Sequence, residues 1–343
     1  MWDRFLRACR REPVDTTPVW FMRQAGRYMP EYLAIRKNHS LLDICHNAEL
    51  CTEVTLQPVL AHQVDAAILF ADILLPLEPM GAPFSFEKGE GPVVHRPVRS
   101  PADVDALRVI EAEDGLEYVM NALRMIRREL DGKTPLIGFA GAPFTLASYL
   151  IEGGKASQYI RTKKFMFSEP EAWDKLMAKL SEVVRRYLRA QVEAGAQCIQ
   201  LFDSWVGALN PQDYRSRVMP HVQHILQDIQ KTGVPVIHFG TGTSTLLELQ
   251  KEAGGTVMGI DFRLTLEQAR ARLGDDIAYQ GNLDPMLLLA PQELLESRSR
   301  QIIEEGKNLP GHIFNLGHGI VPDVNPDAVT RLVDFIHSTG ARG

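Results

Sequence analysis

Two arginines that lie four residues apart, Arg23 and Arg27, form the part of the sequence best suited to chemistry. They follow a short apolar segment, residues 19–22, that is typical of a buried strand. A guanidinium is planar and permanently charged, so it binds a carboxylate or a phosphate through two parallel hydrogen bonds. Gly26, between the arginines, would let a ligand approach the backbone. The pattern predicts an anion clamp, and the alternative is a pair of structural salt bridges.

Four more polar residues follow other apolar segments: Asp72, Tyr149, Ser204 and His318 come soon after the second, third, fourth and eighth of them. Each has a structural alternative. Asp72 could cap a helix, and Ser204 could cap a turn. Tyr149 could be a core aromatic residue with a satisfied hydroxyl group, and His318 could be a loop residue. If the segments are parallel strands of one barrel, these residues and the arginines share one rim, which favours a common site.

The elements that would position these residues alternate along the whole chain. Short apolar runs without polar alternation predict parallel strands that are covered on both faces. Helical patterns separate them, and eight such strands predict a (β/α)8 TIM barrel. An open doubly wound sheet is the alternative, which the lack of a GxGxxG motif after the first strand disfavours. The predicted strands are residues 19–22, 66–70, 136–139, 198–202, 234–239, 257–260, 277–280 and 312–316, and the clearest helices are 48–61, 115–130, 171–194, 213–232, 243–253, 266–272 and 291–305.

The chain has 343 residues, which suits either two average domains or one large barrel. No low-complexity linker divides it, so we predict a single domain over residues 1–343. Residues 76–101 are rich in proline and glycine and predict an elaborated loop after the second strand.

Composition narrows the function classes. With 37 basic and 43 acidic residues, the net charge of −6 gives no overall attraction to nucleic acid or to an anionic membrane. No apolar run is long enough for a transmembrane helix, and the N-terminus lacks a secretory core. The four cysteines form no CxxC pair, which predicts the reducing cytoplasm. Cys45 and Cys51 have His46 and His62 nearby, but we interpret them as small buried residues and predict no metal site.

Three weaker signals remain. The segment from Gly240 to Ser244 resembles a phosphate cradle but lacks the lysine of a P-loop. The basic stretch from Lys155 to Lys164 is typical of a solvated face. Ser204 has no GxSxG motif around it, which disfavours a hydrolase triad.

Several of these motifs, taken together, resemble the uroporphyrinogen decarboxylase family. The resemblance covers nearly the whole chain, and its two most specific motifs are Met22-Arg-Gln-Ala-Gly-Arg-Tyr-Met-Pro-Glu31 and Gly138-Phe-Ala-Gly-Ala-Pro-Phe-Thr-Leu-Ala-Ser-Tyr149. Phe144 departs from the family's usual tryptophan, one aromatic residue replacing another. Shorter matches are Phe70-Ala-Asp-Ile-Leu74, Phe202-Asp-Ser204, Tyr279-Gln-Gly-Asn-Leu-Asp-Pro285 and Asn315-Leu-Gly-His-Gly-Ile-Val-Pro-Asp323.

The resemblance implies a barrel enzyme of haem and chlorophyll biosynthesis. It would remove carbon dioxide from the four acetate side chains of uroporphyrinogen III, without metal or organic cofactor, as a cytoplasmic homodimer. By the same resemblance, Asp72 would face the pyrrole N–H groups at the centre of the macrocycle. The residues implied to bind or position substrate carboxylates are Arg23, Gln24, Ala25, Gly26, Arg27, Arg36, Tyr149, Ser204 and His318.

The residue types suit that chemistry. Protonation of a pyrrole carbon turns the substrate into its own electron sink, and Asp72 could stabilise the resulting cation. The proton donor is left open: it could be His318, an arginine or a water. Two alternatives use the same barrel mouth: a tetrapyrrole carrier without catalysis, and a corrinoid-linked methyltransferase. A carrier of polyanions gains nothing from Asp72, and no cysteine follows Cys198 to complete a thiol-rich zinc site.

Overall fold

Parallel strands in a closed ring form the centre of the molecule. The computed structural model describes residues 3–341 except 88 and 90. The strands are β1 (Ala67–Ile68), β2 (Phe84–Glu87), β3 (Gly91–Val94), β4 (Leu136–Gly141), β5 (Cys198–Asp203), β6 (Val236–Gly240), β7 (Val257–Gly259), β8 (Ala278–Gln280) and β9 (His312–Ile313). Seven of them are parallel and follow one another in the order β1-β4-β5-β6-β7-β8-β9, and a separate antiparallel hairpin pairs β2 with β3.

The backbone of Pro18 and Val19 closes the ring between β9 and β1. Val19 forms a parallel bridge with Phe314, whose N–H donates to the Pro18 carbonyl at 2.8 Å. On the other side, the Asp65 N–H donates to the Val19 carbonyl, also at 2.8 Å. This segment therefore takes the place of the eighth strand, and the predicted (β/α)8 barrel is confirmed.

The first predicted strand, residues 19–22, is nevertheless shorter than expected. The Trp20 N–H still donates to the Phe314 carbonyl at 3.4 Å. From the next residue, side-chain amides replace the strand ladder: the Phe21 N–H donates to Gln24 Oε1 at 3.0 Å, and the Met22 N–H donates to Asn315 Oδ1 at 3.1 Å. These bonds satisfy the backbone while letting the chain turn out of the sheet toward Arg23.

Helices cover the outside of the barrel, and those predicted from the sequence are found with ends shifted by up to four residues. The exception is 213–232, which divides at Val218 because Pro220 cannot continue a helix. The helices are α1 (Arg4–Cys9), α2 (Pro30–Arg36), α3 (Leu41–His46), α4 (Ala48–His62), α5 (Pro101–Ala106), α6 (Glu117–Glu129), α7 (Pro143–Glu152), α8 (Ile160–Ser168), α9 (Pro170–Glu193), α10 (Pro211–Arg217), α11 (Met219–Gln230), α12 (Leu247–Ala253), α13 (Leu266–Leu273), α14 (Gln292–Lys307) and α15 (Pro326–Thr339).

The long loop after β1 has more structure than the sequence predicts. It contains a 3₁₀ turn, Leu75–Leu77, and the β2–β3 hairpin. The hairpin is tied to the end of α7, since the Val94 N–H donates to the Gly153 carbonyl at 2.9 Å. None of the helices described has the length and apolarity that a membrane span requires.

The inside of the barrel is filled by buried side chains, as in other barrels of this class. Among them, Trp20 Nε1 donates to Gln280 Oε1 at 2.9 Å, and Gln280 Nε2 donates to Gln200 Oε1 at 3.0 Å. A ligand must therefore bind at the rim, where the loops after the strands meet.

Candidate functional site

The loop that carries Arg23 and Arg27 is fixed from below by Gln24. This side chain is 1% exposed, and its Nε2 donates to the Ala66 carbonyl at 3.0 Å. The Gln24 carbonyl accepts the Tyr28 hydroxyl at 2.7 Å. Gln24 thus uses its side chain and its carbonyl to hold the loop, and its contact with a ligand stays a prediction.

The two arginines project from this fixed loop without acidic partners. Both are exposed, and among the residues described no carboxylate forms an ion pair with Arg23 or Arg27. Arg23 has φ of 62°, a conformation that a side chain with a Cβ adopts at a cost. Its alkyl stem crosses Gly319, where a Cβ would lie 2.5 Å from Arg23 Cδ. Two unpaired guanidiniums held in this way favour the anion clamp over structural salt bridges.

Gly26 and Ala25, half-buried between the arginines, complete the loop. A Cβ on Gly26 would lie 3.2 Å from the Arg23 carbonyl oxygen, and the Gly26 carbonyl accepts the Met29 N–H at 3.0 Å. A side chain at Gly26 would therefore crowd the loop itself, which is a reason for glycine separate from the predicted approach of a ligand to the backbone.

Asp72 lies within reach of the Arg23 charge, after β1. Its Oδ1 accepts the Leu74 N–H at 2.9 Å, a local turn bond that occupies one carboxylate oxygen. The N-cap of the following 3₁₀ turn is Leu74 and receives no side-chain bond, so the alternative of a helix cap is wrong. Asp72 is half-buried, so protein atoms cover part of the residue while solvent still reaches it. Burial raises the pKa of Asp72, and the Leu74 N–H and the Arg23 charge oppose this rise. The site therefore holds a weakly solvated carboxyl group beside an unpaired cation.

Arg36 reaches the same region from the end of α2. Its Nη1 donates to the His39 carbonyl. Its charge, and that of Arg27, oppose the rise that burial causes in the pKa of Tyr32, and it also acts on the buried thiol of Cys45, next to Asp72. The predicted assisting arginine is thus near the site, with one donor already used.

Tyr149, on α7, forms the wall of the mouth with Trp205. The two ring centroids are 3.9 Å apart, and Asp72 and Arg23 are close enough to act on the phenol. Burial raises the pKa of Tyr149 well above its usual value, with Asp72 adding to the rise. The hydroxyl therefore remains protonated near neutral pH and can donate a hydrogen bond.

His318 faces the mouth from the loop after β9. Its Nδ1 accepts the Gly319 N–H at 2.8 Å, so the proton of the neutral ring is on Nε2. Although His318 is an exposed residue, partial desolvation of its ring, followed by the charges of Arg23 and Arg263, lowers its pKa, and Asp261 opposes this shift. The imidazole is consequently neutral near pH 7 and offers Nε2–H as a donor.

Ser204 follows β5 and lines a side cleft of the mouth. Two cations at this cleft were missed at the level of sequence: Lys163, placed on a solvated face, and Arg263. Arg263 comes shortly after the predicted strand 257–260, so the rule that selected Ser204 and His318 would also have selected it. The rim residues thus fall into two groups, one around Asp72 and one around Ser204, joined by Tyr149 and Trp205.

The cysteine and histidine cluster on α3 and α4 has a structural role. Cys51 donates to the Phe70 carbonyl, and burial raises the pKa of its thiol to about 12. His62 lies between the Tyr28 hydroxyl, at 3.0 Å, and Thr330 Oγ1, at 2.8 Å. Over the described ranges, no three acidic, histidine or cysteine side chains come together in a way that could hold a metal ion.

Comparisons with known proteins agree with this geometry. The family model described as uroporphyrinogen decarboxylase (URO-D) matches residues 2–339. The uroporphyrinogen decarboxylase of Sorangium cellulosum is 65% identical over 338 residues, which cover 98% of this chain and 97% of that protein. The enzyme of the same name from Carboxydothermus hydrogenoformans is 52% identical over 337 residues, covering 98% and 96%.

A solved structure shares the fold at much lower identity. A methyltransferase from Methanosarcina mazei superposes with a TM-score of 0.83 at 19% identity, over 98% of this chain and 97% of that one. This likeness concerns the barrel and does not extend to the reaction.

Proposed function

The chain belongs to the uroporphyrinogen decarboxylase family, and we propose that it converts uroporphyrinogen III to coproporphyrinogen III by decarboxylating its four acetate side chains. The observation that carries the proposal is the pairing of unmatched arginines with one weakly solvated carboxyl group, Asp72, at the barrel mouth. The substrate requires both, because its rim is polyanionic while its ring becomes cationic during the reaction.

The reaction needs only a proton and the substrate's own pyrrole. Protonation of a ring carbon creates a cation conjugated with the acetate-bearing position. The bond to the carboxylate then breaks, carbon dioxide leaves, and the electron pair flows into the ring. The exocyclic carbon takes up a proton to become a methyl group, and the ring carbon returns its proton, so that one proton replaces one carbon dioxide.

Asp72 stabilises the cation in this sequence. A carboxylate with little water around it acts more strongly on a nearby opposite charge than the same group does in bulk solvent. The Leu74 N–H holds one oxygen in place, so the group needs no reorganisation when the charge develops.

The state of His318 narrows the choice of proton donor. Because its pKa is lowered and Nδ1 accepts the Gly319 N–H, little imidazolium exists near neutral pH. These features support a water or an arginine as the donor, with His318 as a neutral hydrogen-bond donor to a substrate carboxylate.

The two alternatives fit the site less well. A carrier of polyanions would be weakened by Asp72, which faces the same mouth as the arginines. A corrinoid-linked methyltransferase would need thiol ligands near the end of β6. His238, within that strand, is fully buried, and no cysteine follows Cys198 in the sequence.

We further propose that the chain works as a homodimer in the cytoplasm. The family resemblance supports both statements, and the four cysteines, all buried and unbridged, suit a reducing compartment. Light scattering of the purified protein should give about twice the chain mass of 38.4 kDa. A mass equal to one chain at micromolar concentration would contradict the dimer.

Replacing Asp72 tests the proposed function. We expect Asp72→Asn to lower turnover by about 10²–10³, the scale of one electrostatic stabiliser, because the amide keeps the Leu74 bond but carries no charge. The measurement is anaerobic turnover of uroporphyrinogen III, followed by chromatography of the oxidised products, which should show stepwise seven- to four-carboxylate porphyrins for the unaltered protein.

Asp131→Asn, a change on an exposed side chain, serves as the matched control and should retain full turnover. Wild-type rates for a folded Asp72→Asn protein would contradict the role of Asp72. Tight uroporphyrin binding without release of carbon dioxide by the unaltered protein would instead support the carrier.

A further inference from the structure

Apart from Ser204, the residues that line a side cleft at the barrel mouth have no role in the proposed function. The cleft has a volume of about 330 Å³ and opens at the ends of β5, β6 and β7. Lys163 and Arg263 supply its charge, and no acidic residue is among those that line it. Ser204, Trp205, Thr241 and Gly242 also line the cleft.

The cleft lies across the barrel from the arginine clamp. Counting the closing segment at Val19 as the first strand, the order of the ring makes β6 the fifth of eight. In a ring of eight strands, the first and the fifth are diametrically opposed. Arg23 and Arg27 therefore approach a ligand in the mouth from one side, and the cleft approaches it from the other.

The Arg263 side chain is held in place at the cleft by two contacts. Its Nη1 forms an ion pair of 2.6 Å with Asp261, and its guanidinium lies 4.6 Å from the centroid of the Phe262 ring. The Asp261 side chain is only 3% exposed, and it also accepts the N–H groups of Gly242 and Arg263 itself. Arg263 keeps its remaining N–H donors, and half of its side chain is exposed.

Lys163 adds a second cation that no carboxylate of the described chain neutralises. Its Nζ donates to the Ala208 carbonyl at 2.6 Å, which orients the ammonium group but leaves its charge and two protons free. The cleft therefore has a positive charge in excess of the Arg263–Asp261 pair, in a protein whose net charge is −6.

The cleft is continuous with the reaction site. Trp205 lines it and stacks on Tyr149, which in turn lies within reach of Asp72. Arg263 also acts on His318. A macrocycle centred over Asp72 would thus extend its peripheral side chains toward both the clamp and the cleft.

We propose that Lys163 and Arg263 form a second carboxylate subsite, which binds side chains of the macrocycle on the side opposite Arg23 and Arg27. This inference rests on the proposed function, since it takes the tetrapyrrole as the ligand. A substrate with carboxylates all around its rim needs cations on both sides of the mouth. The clamp alone would leave the far side chains without a cationic partner.

Neutral variants of the two cations test the subsite. We expect Arg263→Gln and Lys163→Gln each to raise KM for uroporphyrinogen about tenfold, the effect of losing one charge-assisted contact. The value of kcat for the first decarboxylation should stay within about twofold, because these contacts are equal in ground and transition states. Lys164→Gln, which removes an adjacent exposed charge, should leave KM unchanged.

Direct binding separates this inference from the proposed function. The probe is uroporphyrin, and its Kd should rise about tenfold in each variant and depend less steeply on salt. Melting temperatures close to that of the unaltered protein would show that the loops remain folded. Unchanged Kd and KM in both variants, with normal turnover, would overturn the subsite alone. Weaker uroporphyrin binding in the variants of a protein that shows no turnover would support the subsite while the decarboxylase proposal failed.

Discussion

A single residue beneath the site, Asp203, makes the stability of the fold depend on pH. It ends β5 directly before Ser204 and is completely buried. Its Oδ1 accepts the Thr145 hydroxyl at 3.3 Å, while its Oδ2 and the buried hydroxyl of nearby Tyr214 have no hydrogen-bond partner in the described chain. Burial raises the pKa of Asp203 to about 7, an effect that the Thr145 bond only partly offsets.

This shift predicts that Asp203 destabilises the fold increasingly as pH rises. The folded protein retains a proton that the unfolded chain releases near pH 4, so stability falls between about pH 4 and pH 7 and then levels off. The slope is about 1.4 kcal/mol per pH unit for one proton. Asp203→Asn lacks this titration, so its Tm relative to the unaltered protein should increase from pH 5 to pH 7. Parallel curves of Tm against pH would show that Asp203 is already ionised in the folded state.

At the scale of elements, the sequence was sufficient to predict a strand wherever its local pattern agrees with its burial. The ends of the largely buried strands β4, β5 and β6 were predicted to within two residues, because a short continuous apolar run is typical of a strand covered on both faces. The same reasoning placed Asp72, Tyr149, Ser204 and His318 at one rim. Strand order follows from the fold class, and the fold class follows from the alternation of strands and helices.

The features that the sequence did not predict depend on contacts between distant residues. Nothing local indicates that Gln24 and Asn315 would replace the ladder after Val19, since they are 291 positions apart along the chain. The hairpin after β1 was hidden among turn-forming residues. Lys163 looked like one charge of a solvated face, and only the folded chain brings it beside Arg263.

At the scale of the whole molecule, one carboxylate reinforces the backbone bonds that close the barrel. Asp65, with a side chain 9% exposed, accepts three hydrogen bonds from three separate parts of the chain. The donors are Arg4 Nη1 on α1 at 2.9 Å, the Val19 N–H of the closing segment at 2.8 Å, and His337 Nε2 on α15 at 2.7 Å. This contact ties both ends of the chain to the segment that leads into Arg23.

We therefore expect Asp65→Asn to lower the stability of the whole protein, although the two side chains are almost equal in size. The amide retains one acceptor oxygen but turns N–H groups toward Arg4 or His337, so one of these two hydrogen bonds is lost and the other is weakened, although Arg4 keeps its pair with Asp15. Losing hydrogen bonds of this kind costs about 3 kcal/mol, a fall of about 5 °C in Tm for a chain of this length. Scanning calorimetry measures the change, and the exposed Asp131→Asn variant should melt within a degree of the unaltered protein. Because Arg23 is only four residues from Val19, turnover should decline with Tm; a loss of stability with full activity would mean that the clamp loop is held by Gln24 alone.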